Sequence, residues 1–404
     1  MANTLKFGNG KWATGKDTVL AFNDENDNFK PLPFSFSRAS SATVVNQKGL
    51  IETVGGGEPR IDFKDNTKGS LLLEPSRSNL VTTSETLENY FNRQGSTLIV
   101  DNNAINPSGS STSYILDSSA TGSYKSIFRN ESSAWDSKTL TMSCFAKKKT
   151  NDFIYFHNIG SVSGSPSVYF NIDSGTLGSV GSAWSNVKIE NYGNDWYRCS
   201  ATITFGTNTN YLYIANSDGN NNINSTIGSQ TYLWGVQLEE GSYATSYIPT
   251  QGSAVTRLAD SCSQTVPDGV IGQTEGVVYM DFIAQNTTGQ SQSHFWLGAS
   301  GNEIGLYGGS QFVFYSSGGV SINGGNIITG ERYKVAFGYK ANDYVAYING
   351  SQVGTDTSAT VPTMTGLRLG SYFNGTEVQK KNTTDFKLYN TRLSNSELQA
   401  LTTI

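Results

Sequence analysis

The chain has 404 residues, a net charge of −5 at pH 7 and only 15% charged residues, beside 43 glycines, 21 tyrosines and 20 phenylalanines. This composition favours an all-β protein of two or three domains and excludes a disordered chain. The negative charge argues against a nucleic-acid partner. No apolar run approaches about 18 residues, and the opening MANTLKFGNG does not resemble a secretion signal. We therefore expect no membrane insertion, and synthesis in the cytosol without a signal peptide.

Residues 1–85 form the first predicted region, which is irregular. Its extended pieces are short and are interrupted by Gly49, Gly55–Gly57, Pro59 and Pro75. Such a segment is too poor in long periodic runs to bury much of a core by itself. We therefore expect residues 1–85 to lie along another surface or along another copy of the chain.

One loop of this region has part of a calcium-binding pattern. Asp24, Asn26 and Asn28 have the first three spacings of a calcium loop. However, Phe29 stands where the loop needs glycine, and Ser35 stands where the bidentate acid belongs. No metal site is predicted here, and no cofactor is predicted elsewhere. Calcium in a loop of either later domain stays open, without assignable ligands.

Residues 86–250 have a more regular pattern. Strand-like runs joined by turn-rich connectors lie at 113–118, 139–148, 152–158, 167–172, 186–193, 196–205, 211–216 and 231–238. A succession of short strands at intervals of about ten residues is typical of antiparallel sandwiches and jelly rolls. The sequence therefore predicts one such domain over 86–250.

The segment 230–250 is predicted to end this domain. Large apolar residues recur there at a spacing of two, at Tyr232, Trp234, Val236 and Leu238. This spacing predicts a strand with one buried face. Glu239 and Glu240 follow and are interpreted as solvated turn residues. Residues 243–249 are interpreted as a strap across the outside of the domain.

A linker is predicted over 251–265 and a second antiparallel sandwich over 266–404. Alternating runs lie at 276–284, 294–299, 303–308, 311–317, 333–340, 343–350 and 366–371. Asn349-Gly350 stands between two such runs and predicts a two-residue type I′ hairpin turn.

The chain end predicts one short helix. Ser394 and Glu397 have the spacing of a capping box, in which each side chain bonds the other residue's backbone N–H. Leu393, Leu398 and Leu401 would lie on one face of this helix and pack together. The predicted fold class is thus all-β: an irregular N-terminal region, two antiparallel sandwiches and one C-terminal helix.

Saccharide binding is the function that these residues favour, because sugar C–H faces stack on aromatic rings while sugar hydroxyls pair with polar loops. Trp135 and Trp184 stand among small polar residues and are candidates for exposed rings. Tyr307, Tyr315 and Tyr372 flank loops rich in glycine and serine and could line a shallow second site. The alternative for each tryptophan is an ordinary place in the core. Trp296 is predicted to be buried.

Catalysis is less favoured. Glycoside hydrolysis usually needs two carboxylates roughly 5–9.5 Å apart across one cleft. The acids of the second sandwich are scattered, at Glu275, Asp281, Glu303, Asp343 and Asp385. The two histidines, His157 and His294, lie in separate predicted sandwiches. A Ser–His–Asp arrangement stays open, although no Gly-x-Ser-x-Gly elbow supports it. No catalytic residue is predicted.

Four stretches together resemble virion proteins of bacteriophages, of the fibre and tail-spike type. These stretches are FSRASSATVVNQKGLIE…EPRIDF (36–63), LLLEPSRSNLVTTSE (71–85), NDWYRCSATIT (194–204) and YLWGVQLEEGSYATSYIPT (232–250). The opening, LKFGNGKWAT…FKPLPF, is similar to fibre proteins of crAss-like and related phages of Bacteroidetes. Residues 86–250 resemble carbohydrate-binding-module jelly rolls, and residues 266–404 resemble concanavalin A-like, laminin-G-like sandwiches.

The resemblance implies a role and partners for the chain. It implies a fibre on the virion, commonly a homotrimer, attached to capsid or tail proteins through residues 1–85. Its sandwiches would contact host or environmental glycans without cleaving them. Two alternatives stay open, namely a purely structural head-decoration fibre and a capsule depolymerase tail spike.

Overall fold

The computed structural model describes residues 4–21, 32–120, 125–131, 133–160, 162, 164–207, 210–265, 268–285, 292–375 and 380–404. The predicted all-β class is confirmed: these residues form 33 strands, one 3-10 helix (Leu87–Asn89) and one α-helix. No helix formed by the described residues has the length and apolar character needed to cross a bilayer. The calcium-like spacing of Asp24, Asn26 and Asn28 lies outside the described residues.

The first strands in chain order are β1 Leu5–Gly8, β2 Thr14–Gly15, β3 Thr18–Ala21, β4 Leu32–Ser37, β5 Ala42–Val45, β6 Ile51–Val54, β7 Arg60–Asp62 and β8 Ser70–Leu73. The next are β9 Arg77–Asn79, β10 Asn92–Gln94, β11 Ser96–Asp101, β12 Ser113–Ser118, β13 Ser126–Asn130, β14 Thr139–Lys148, β15 Phe153–Ile159, β16 Ser167–Asn171, β17 Thr176–Val180, β18 Trp184–Asn191, β19 Tyr197–Thr204, β20 Tyr211–Ser217, β21 Gln230–Glu240 and β22 Val255–Arg257. The last are β23 Ser261–Thr265, β24 Glu275–Ile283, β25 Gln292–Ala299, β26 Asn302–Gly308, β27 Gln311–Ser316, β28 Val320–Asn326, β29 Arg332–Lys340, β30 Tyr344–Ile348, β31 Ser351–Asp356, β32 Gly366–Leu369, β33 Lys381–Tyr389 and the helix α1 Asn395–Thr402.

The chain divides into two compact units. Unit 1 consists of Met1–Gln47, Thr53–Ser76 and Leu258–Ile404, and unit 2 consists of Lys48–Glu52 and Arg77–Arg257.

Unit 1 is a sandwich of two antiparallel sheets. One sheet has eight strands in the order β31-β30-β29-β24-β33-β8-β7, with β1 also paired to β33. The other has nine strands in the order β2-β3-β4-β23-β32-β25-β26-β27-β28. Their inner faces share one hydrophobic core, which includes Val278, Phe314 and Phe386. Alternate residues of each strand therefore face away from this core.

Strands from the first 85 residues belong to both sheets of unit 1. Phe7 of β1 lies opposite Phe386 of β33, and β4 pairs with β23. Leu5, Phe7 and Phe34 lie in the same core as the apolar residues of the C-terminal segment. The division thus differs from the predicted irregular region 1–85 and linker 251–265. Pairings between strands so far apart in sequence leave no local signature, because each strand by itself is short.

Four buried charged side chains lie at the edge of this core. Asp260 accepts hydrogen bonds from Arg38 Nη1 at 2.9 Å and Arg60 Nη2 at 2.5 Å, and Arg60 Nη1 reaches Glu74 at 2.7 Å. All four side chains have 0% exposure. Burying an unpaired charge in a protein interior costs roughly several kcal/mol. Each of these charges is therefore stable in the core only because its partner is present. The cluster joins three chain segments of unit 1.

Unit 2 is a second sandwich. One sheet has the order β10-β13-β20-β15-β16-β17 and the other β11-β12-β21-β14-β19-β18, while β22 pairs with β9. Leu140, Ile154, Phe170 and Ile214 are among the fully buried residues of its core. The strand pairings within both sheets are antiparallel, as the alternating sequence predicts.

Strand β21 departs from the predicted alternation. Ser143 of β14 pairs with Gln237 and Phe145 pairs with Trp234, so two residues of β21 stand opposite one of β14. This is a β-bulge, and Gly235 adopts the positive φ of 58° that such a bulge favours. As a result Leu233 and Val236 both face the core, while Trp234 faces outward.

The acids after this strand are also placed differently from the expectation. Both continue β21, so they point to opposite faces; Glu240 is exposed, whereas Glu239 has a side-chain exposure of 0%. Glu239 accepts hydrogen bonds from the backbone N–H and the hydroxyl of Thr245 at 2.9 and 2.7 Å. The buried carboxylate thereby attaches the following segment to the outer face of the sheet, so Glu239 is not a solvated turn residue.

Two local predictions at the C-terminus are confirmed. Asn349 and Gly350 have φ angles of 48° and 80° and connect β30 to β31 in a two-residue loop. Ser394 and Glu397 form the capping box of α1. Leu398 is fully buried against the outer face of the eight-stranded sheet, together with residues such as Val277 and Val345.

Candidate functional site

The outer face of the nine-stranded sheet carries a row of unusual side chains. Arg368 of β32, Trp296 of β25, Gly305 of β26 and Tyr315 of β27 are direct cross-strand partners. Their sequence neighbours point into the core of unit 1. Because strand residues alternate between faces, the four residues of the row share the face that points away from the core.

Trp296 is the centre of an aromatic cluster on this face. Its ring is stacked on Tyr307 at 5.7 Å and meets the ring of Tyr315 edge-on at 6.0 Å. Tyr372 and Phe373, from the loop after β32, meet it edge-on at 4.7 and 6.2 Å. We call these five residues the aromatic surface. Trp296 itself is only 2% exposed, as predicted, whereas the other four rings are half-buried.

Gly305 makes this arrangement sterically feasible. A Cβ atom on residue 305 would lie 2.4 Å from Cε3 of Trp296, well inside van der Waals contact. The absence of a side chain therefore lets the indole lie against the sheet and lets the tyrosines surround it. Such edge-to-face and offset-stacked pairs contribute about 0.5–1.5 kcal/mol each beyond the area they bury. The rings are thus held in fixed positions.

Polar groups border the rings. Arg368, directly beside Trp296 in the sheet, is half-buried and makes no hydrogen bond or ion pair with any other described residue. On the other side, Gln311 bonds Asn326 at 3.1 Å and Asn323 at 3.0 Å, and Asn323 pairs across the strands with Val313. A guanidinium and three amides therefore stand at opposite borders of the aromatic surface.

The Tyr307 hydroxyl keeps its proton at neutral pH. Burial, followed by the neighbouring Tyr315, raises the pKa of Tyr307 above its usual value. A neutral phenol can both donate and accept a hydrogen bond. The aromatic surface therefore offers apolar ring faces together with the neutral hydroxyl of Tyr307.

Sequence reasoning named Tyr307, Tyr315 and Tyr372, and the structure brings all three together. It did not name Trp296 or Arg368 as part of the site. The signal for Trp296 is its pairing with a glycine on the next strand, which requires knowledge of the strand register. Whether these residues bind a ligand stays a prediction.

The two tryptophans favoured from sequence lie in the core of unit 2. Trp135 is 3% exposed and stacks on Phe205 at 5.7 Å. Trp184 is 5% exposed, and its Nε1 donates to the carbonyl oxygen of Pro166 at 3.0 Å. The structure therefore places both in the alternative position, the core. Small polar neighbours mark turns, and a single large side chain of a turn can still point inward.

Two of the scattered acids become neighbours. Asp281 of β24 and Asp385 of β33 are cross-strand partners, 3% and 5% exposed. Arg332 Nε donates to Asp281 at 2.8 Å, and Lys387 Nζ lies 2.8 Å from Asp385. Burial raises the pKa of Asp385, and Lys387 opposes that rise. Each carboxylate is thus engaged by a cation.

The histidines lie in different units and are both buried. His157 Nδ1 is 2.8 Å from the hydroxyl of Ser167, and burial lowers the pKa of His157 to about 4. Burial also lowers the pKa of His294 well below its usual value. Within the described ranges, no group of three or more His, Cys, Asp and Glu side chains could hold a metal ion.

No protein-family model and no curated protein matches the chain. Solved structures with partial similarity include the CBM40 of Ruminococcus gnavus IT-sialidase bound to α2,3-sialyllactose, at 18% identity and TM-score 0.28, over 33% of this chain and 84% of that one. A second match is domain 4 of AbnA in complex with arabinotriose; AbnA is a GH43 extracellular arabinanase from Geobacillus stearothermophilus. The identity is 19% and the TM-score 0.30, over 40% of this chain and 82% of that one. Trypanosoma rangeli sialidase in complex with sialic acid matches at 11% identity and TM-score 0.31, over 95% of this chain and 65% of that one. Scores of this size assign neither a family nor a function.

Proposed function

We propose that the chain binds saccharides without cleaving them, and that the aromatic surface of unit 1 is a ligand site. The observation that carries this proposal is the clustering of four half-buried rings around Trp296, next to a guanidinium with no partner among the described residues. Rings that face solvent beside fixed polar groups suit a ligand with both C–H faces and hydroxyls.

Arg368 gives the proposed site a preference for ligands that carry a carboxylate. A guanidinium binds a carboxylate through two parallel hydrogen bonds, which are stronger than hydrogen bonds between neutral groups. Arg368 lies three strands away from Tyr315 in the row, beyond Gly305 and Trp296, so a ligand that contacts both must contain more than one sugar unit. The ligand class is therefore an acidic oligosaccharide, in which the carboxylate of one unit meets Arg368 while the ring of another stacks on tyrosine.

The absence of cleavage is the second part of the proposal. Asp281 and Asp385, the paired acids of unit 1, are each held by a cation and are nearly inaccessible. A general acid must present its proton to the glycosidic oxygen, and a general base must reach water. Incubation of the full chain with host capsule polysaccharide should release no reducing ends. Time-dependent release would contradict non-catalysis and favour a depolymerase spike.

The fibre role is the third part. It rests on the resemblance of residues 36–63, 71–85, 194–204 and 232–250 to phage fibre and tail-spike proteins. In that role the chain is a homotrimer on the virion, attached to capsid or tail proteins through residues 1–85, and its sandwiches meet host glycans. Light scattering of the purified chain and imaging of the particle measure copy number and position. A monomer both in solution and on the particle would contradict the trimer.

A glycan array with the full chain tests the binding site. We expect the wild type to bind acidic glycans and Tyr315→Ala to weaken that binding by about fivefold, since one aromatic contact contributes roughly 1 kcal/mol. Arg368→Met should remove the preference for acidic over neutral glycans. The matched control is Tyr211→Ala, because Tyr211 is a half-buried tyrosine of unit 2 that stacks on Tyr213. No binding of the wild type to any host polysaccharide would leave only a structural head-decoration fibre.

A further inference from the structure

Unit 2 contains a cavity of about 530 Å³ whose lining residues are mostly of polar types. Thr83, Glu85, Thr86, Asn89 and Thr112 line it, and Trp234 contributes its one aromatic ring. Sites for small molecules commonly span roughly 300–1,000 Å³ and combine a few apolar groups with placed polar ones. This cavity therefore has room for one or two sugar rings.

One wall is held by Asn106, a side chain with 1% exposure. Its Oδ1 accepts from the backbone N–H of Ser108 at 2.9 Å, and its Nδ2 donates to the carbonyl oxygen of Thr112 at 2.7 Å. Nδ2 also reaches the hydroxyl of Ser110 at 2.6 Å. The loop 108–112 is thus fixed from within by a buried amide, and the cavity wall does not depend on a ligand for its shape.

A second part of the lining is held by hydrogen bonds between two chain segments. The backbone N–H of Ser84 donates to the hydroxyl of Thr250 at 2.8 Å, and the N–H of Thr250 donates to the hydroxyl of Ser84 at 2.9 Å. The phenol of Tyr247 lies 2.8 Å from the same Ser84 hydroxyl. This reciprocal pair fixes the positions of Thr83 and Glu85, the residues on each side of Ser84.

The β-bulge places the aromatic ring. With Gly235 at positive φ, Trp234 points away from the core of unit 2 and packs on Tyr247 at 4.7 Å and Phe145 at 5.2 Å. Trp234 is 4% exposed, so little of its ring is open to the cavity. Hydrogen bonds must therefore provide most of the recognition.

Several polar groups of the cavity have unused hydrogen-bonding capacity. The Thr83 hydroxyl is buried without a partner among the described residues. The side chains of Thr86, Asn89 and Thr112 are exposed and likewise make no hydrogen bond to any described residue. Among the described residues, the hydrogen-bond donors to the Glu85 carboxylate are Tyr247 and Gln251, each at 3.5 Å, and Glu85 is the one charged residue in the lining. Good hydrogen bonds are shorter than this.

We infer that this cavity is a second saccharide site, for one neutral sugar unit. The Glu85 carboxylate accepts hydrogen bonds from adjacent sugar hydroxyls, and the hydroxyls and amide of Thr83, Thr86 and Asn89 bind the remaining ones. A ligand carboxylate is excluded because it would face Glu85 at close range in a partly desolvated site. The site lies within unit 2 and does not depend on the aromatic surface of unit 1.

The test uses the full chain carrying both Tyr315→Ala and Arg368→Met, so that the contribution of unit 1 is reduced for neutral and acidic glycosides alike. Saturation-transfer NMR with neutral methyl hexopyranosides should show binding, and the methyl glycoside of glucuronic acid should bind at least tenfold more weakly. Glu85→Gln keeps the shape of the side chain but removes its charge. This substitution should weaken the binding of neutral glycosides by about tenfold, because hydrogen bonds to a charged group are stronger than those between neutral groups. It should also reduce the difference in affinity between neutral glycosides and the glucuronide.

A second variant guards against a folding defect. Thr112→Trp fills the cavity from its exposed rim and should abolish the signal, whereas Thr97→Trp, at an exposed threonine of β11, should leave it unchanged. No saturation transfer from any neutral methyl hexopyranoside, or an undiminished signal in Thr112→Trp, would overturn this inference. Neither result bears on the aromatic surface, which the array measures separately.

Discussion

Trp296 lies directly opposite Gly305 on the neighbouring strand, and its indole occupies the space that a Cβ atom on residue 305 would need. The pair links two properties of unit 1. Gly305 has no side chain to pack on the sheet face, and this weakens the strand. In return the indole lies against the sheet and becomes the point around which Tyr307, Tyr315 and Tyr372 are ordered.

Gly305→Ala should therefore disturb the aromatic surface. The added methyl would lie 2.4 Å from the indole, so the ring must move, at a cost of about 1–3 kcal/mol in the free energy of unfolding. Acidic-glycan binding should fall with it. Urea denaturation and the glycan array measure the two effects. Gly366→Ala on β32 is the matched control, because its Cβ would lie an ordinary 3.5 Å from the nearest atom. Equal stability of the two variants would contradict the steric role of Gly305.

The buried charge cluster of unit 1 should be a large determinant of its stability. Arg60→Met removes the guanidinium that lies 2.7 Å from Glu74. It also removes one of the two guanidiniums that pair with Asp260. Breaking a buried ion pair by removing one member typically costs about 3–5 kcal/mol. The free energy of unfolding of unit 1, followed in urea on the full chain, should fall by about that amount.

Arg93→Met provides the comparison for this substitution, because Arg93 is an exposed arginine of β10. A surface change of this kind is expected to stay within about 0.5 kcal/mol of the wild type. If Arg60→Met were as stable as Arg93→Met, the cluster would not hold the segments of unit 1 together.

His157 should make unit 2 sensitive to acid. Burial lowers the pKa of His157 to about 4 in the folded chain, against an ordinary 6.5. Between these values the unfolded chain binds a proton that the folded chain does not, so stability falls as the pH drops from 6.5 towards 4. The loss approaches about 3 kcal/mol, at 1.36 kcal/mol per pKa unit. Above pH 6.5 this contribution is fully present.

Comparison with His157→Gln isolates that contribution, because the titrating carboxylates are common to both chains. Urea midpoints at pH 7, 5.5 and 4.5 should decline more steeply for the wild type than for the variant. Parallel declines would show that His157 is charged in the folded state or does not change its pKa on folding.

Much of the secondary structure follows from local patterns. The Asn349-Gly350 turn and the Ser394–Glu397 capping box depend on residues one and three positions apart, and both are present as predicted. The all-β class follows from composition and from period-two runs. By contrast, the bulge at Gly235 breaks that period, and the simple alternation put Trp234 and Val236 on one face when they lie on opposite faces.

Composition and short-range spacing thus determined, by themselves, the fold class, the C-terminal helix and a set of aromatic candidates. Tertiary structure alone decided which candidates are on a surface: Trp135 and Trp184 are in a core, whereas Tyr307, Tyr315 and Tyr372 meet around Trp296. It also decided that β1 pairs with β33 and that Arg368 stands beside Trp296. The physical reason is that strand register joins residues far apart in sequence, and a strand's own residues specify its alternation but not its neighbours.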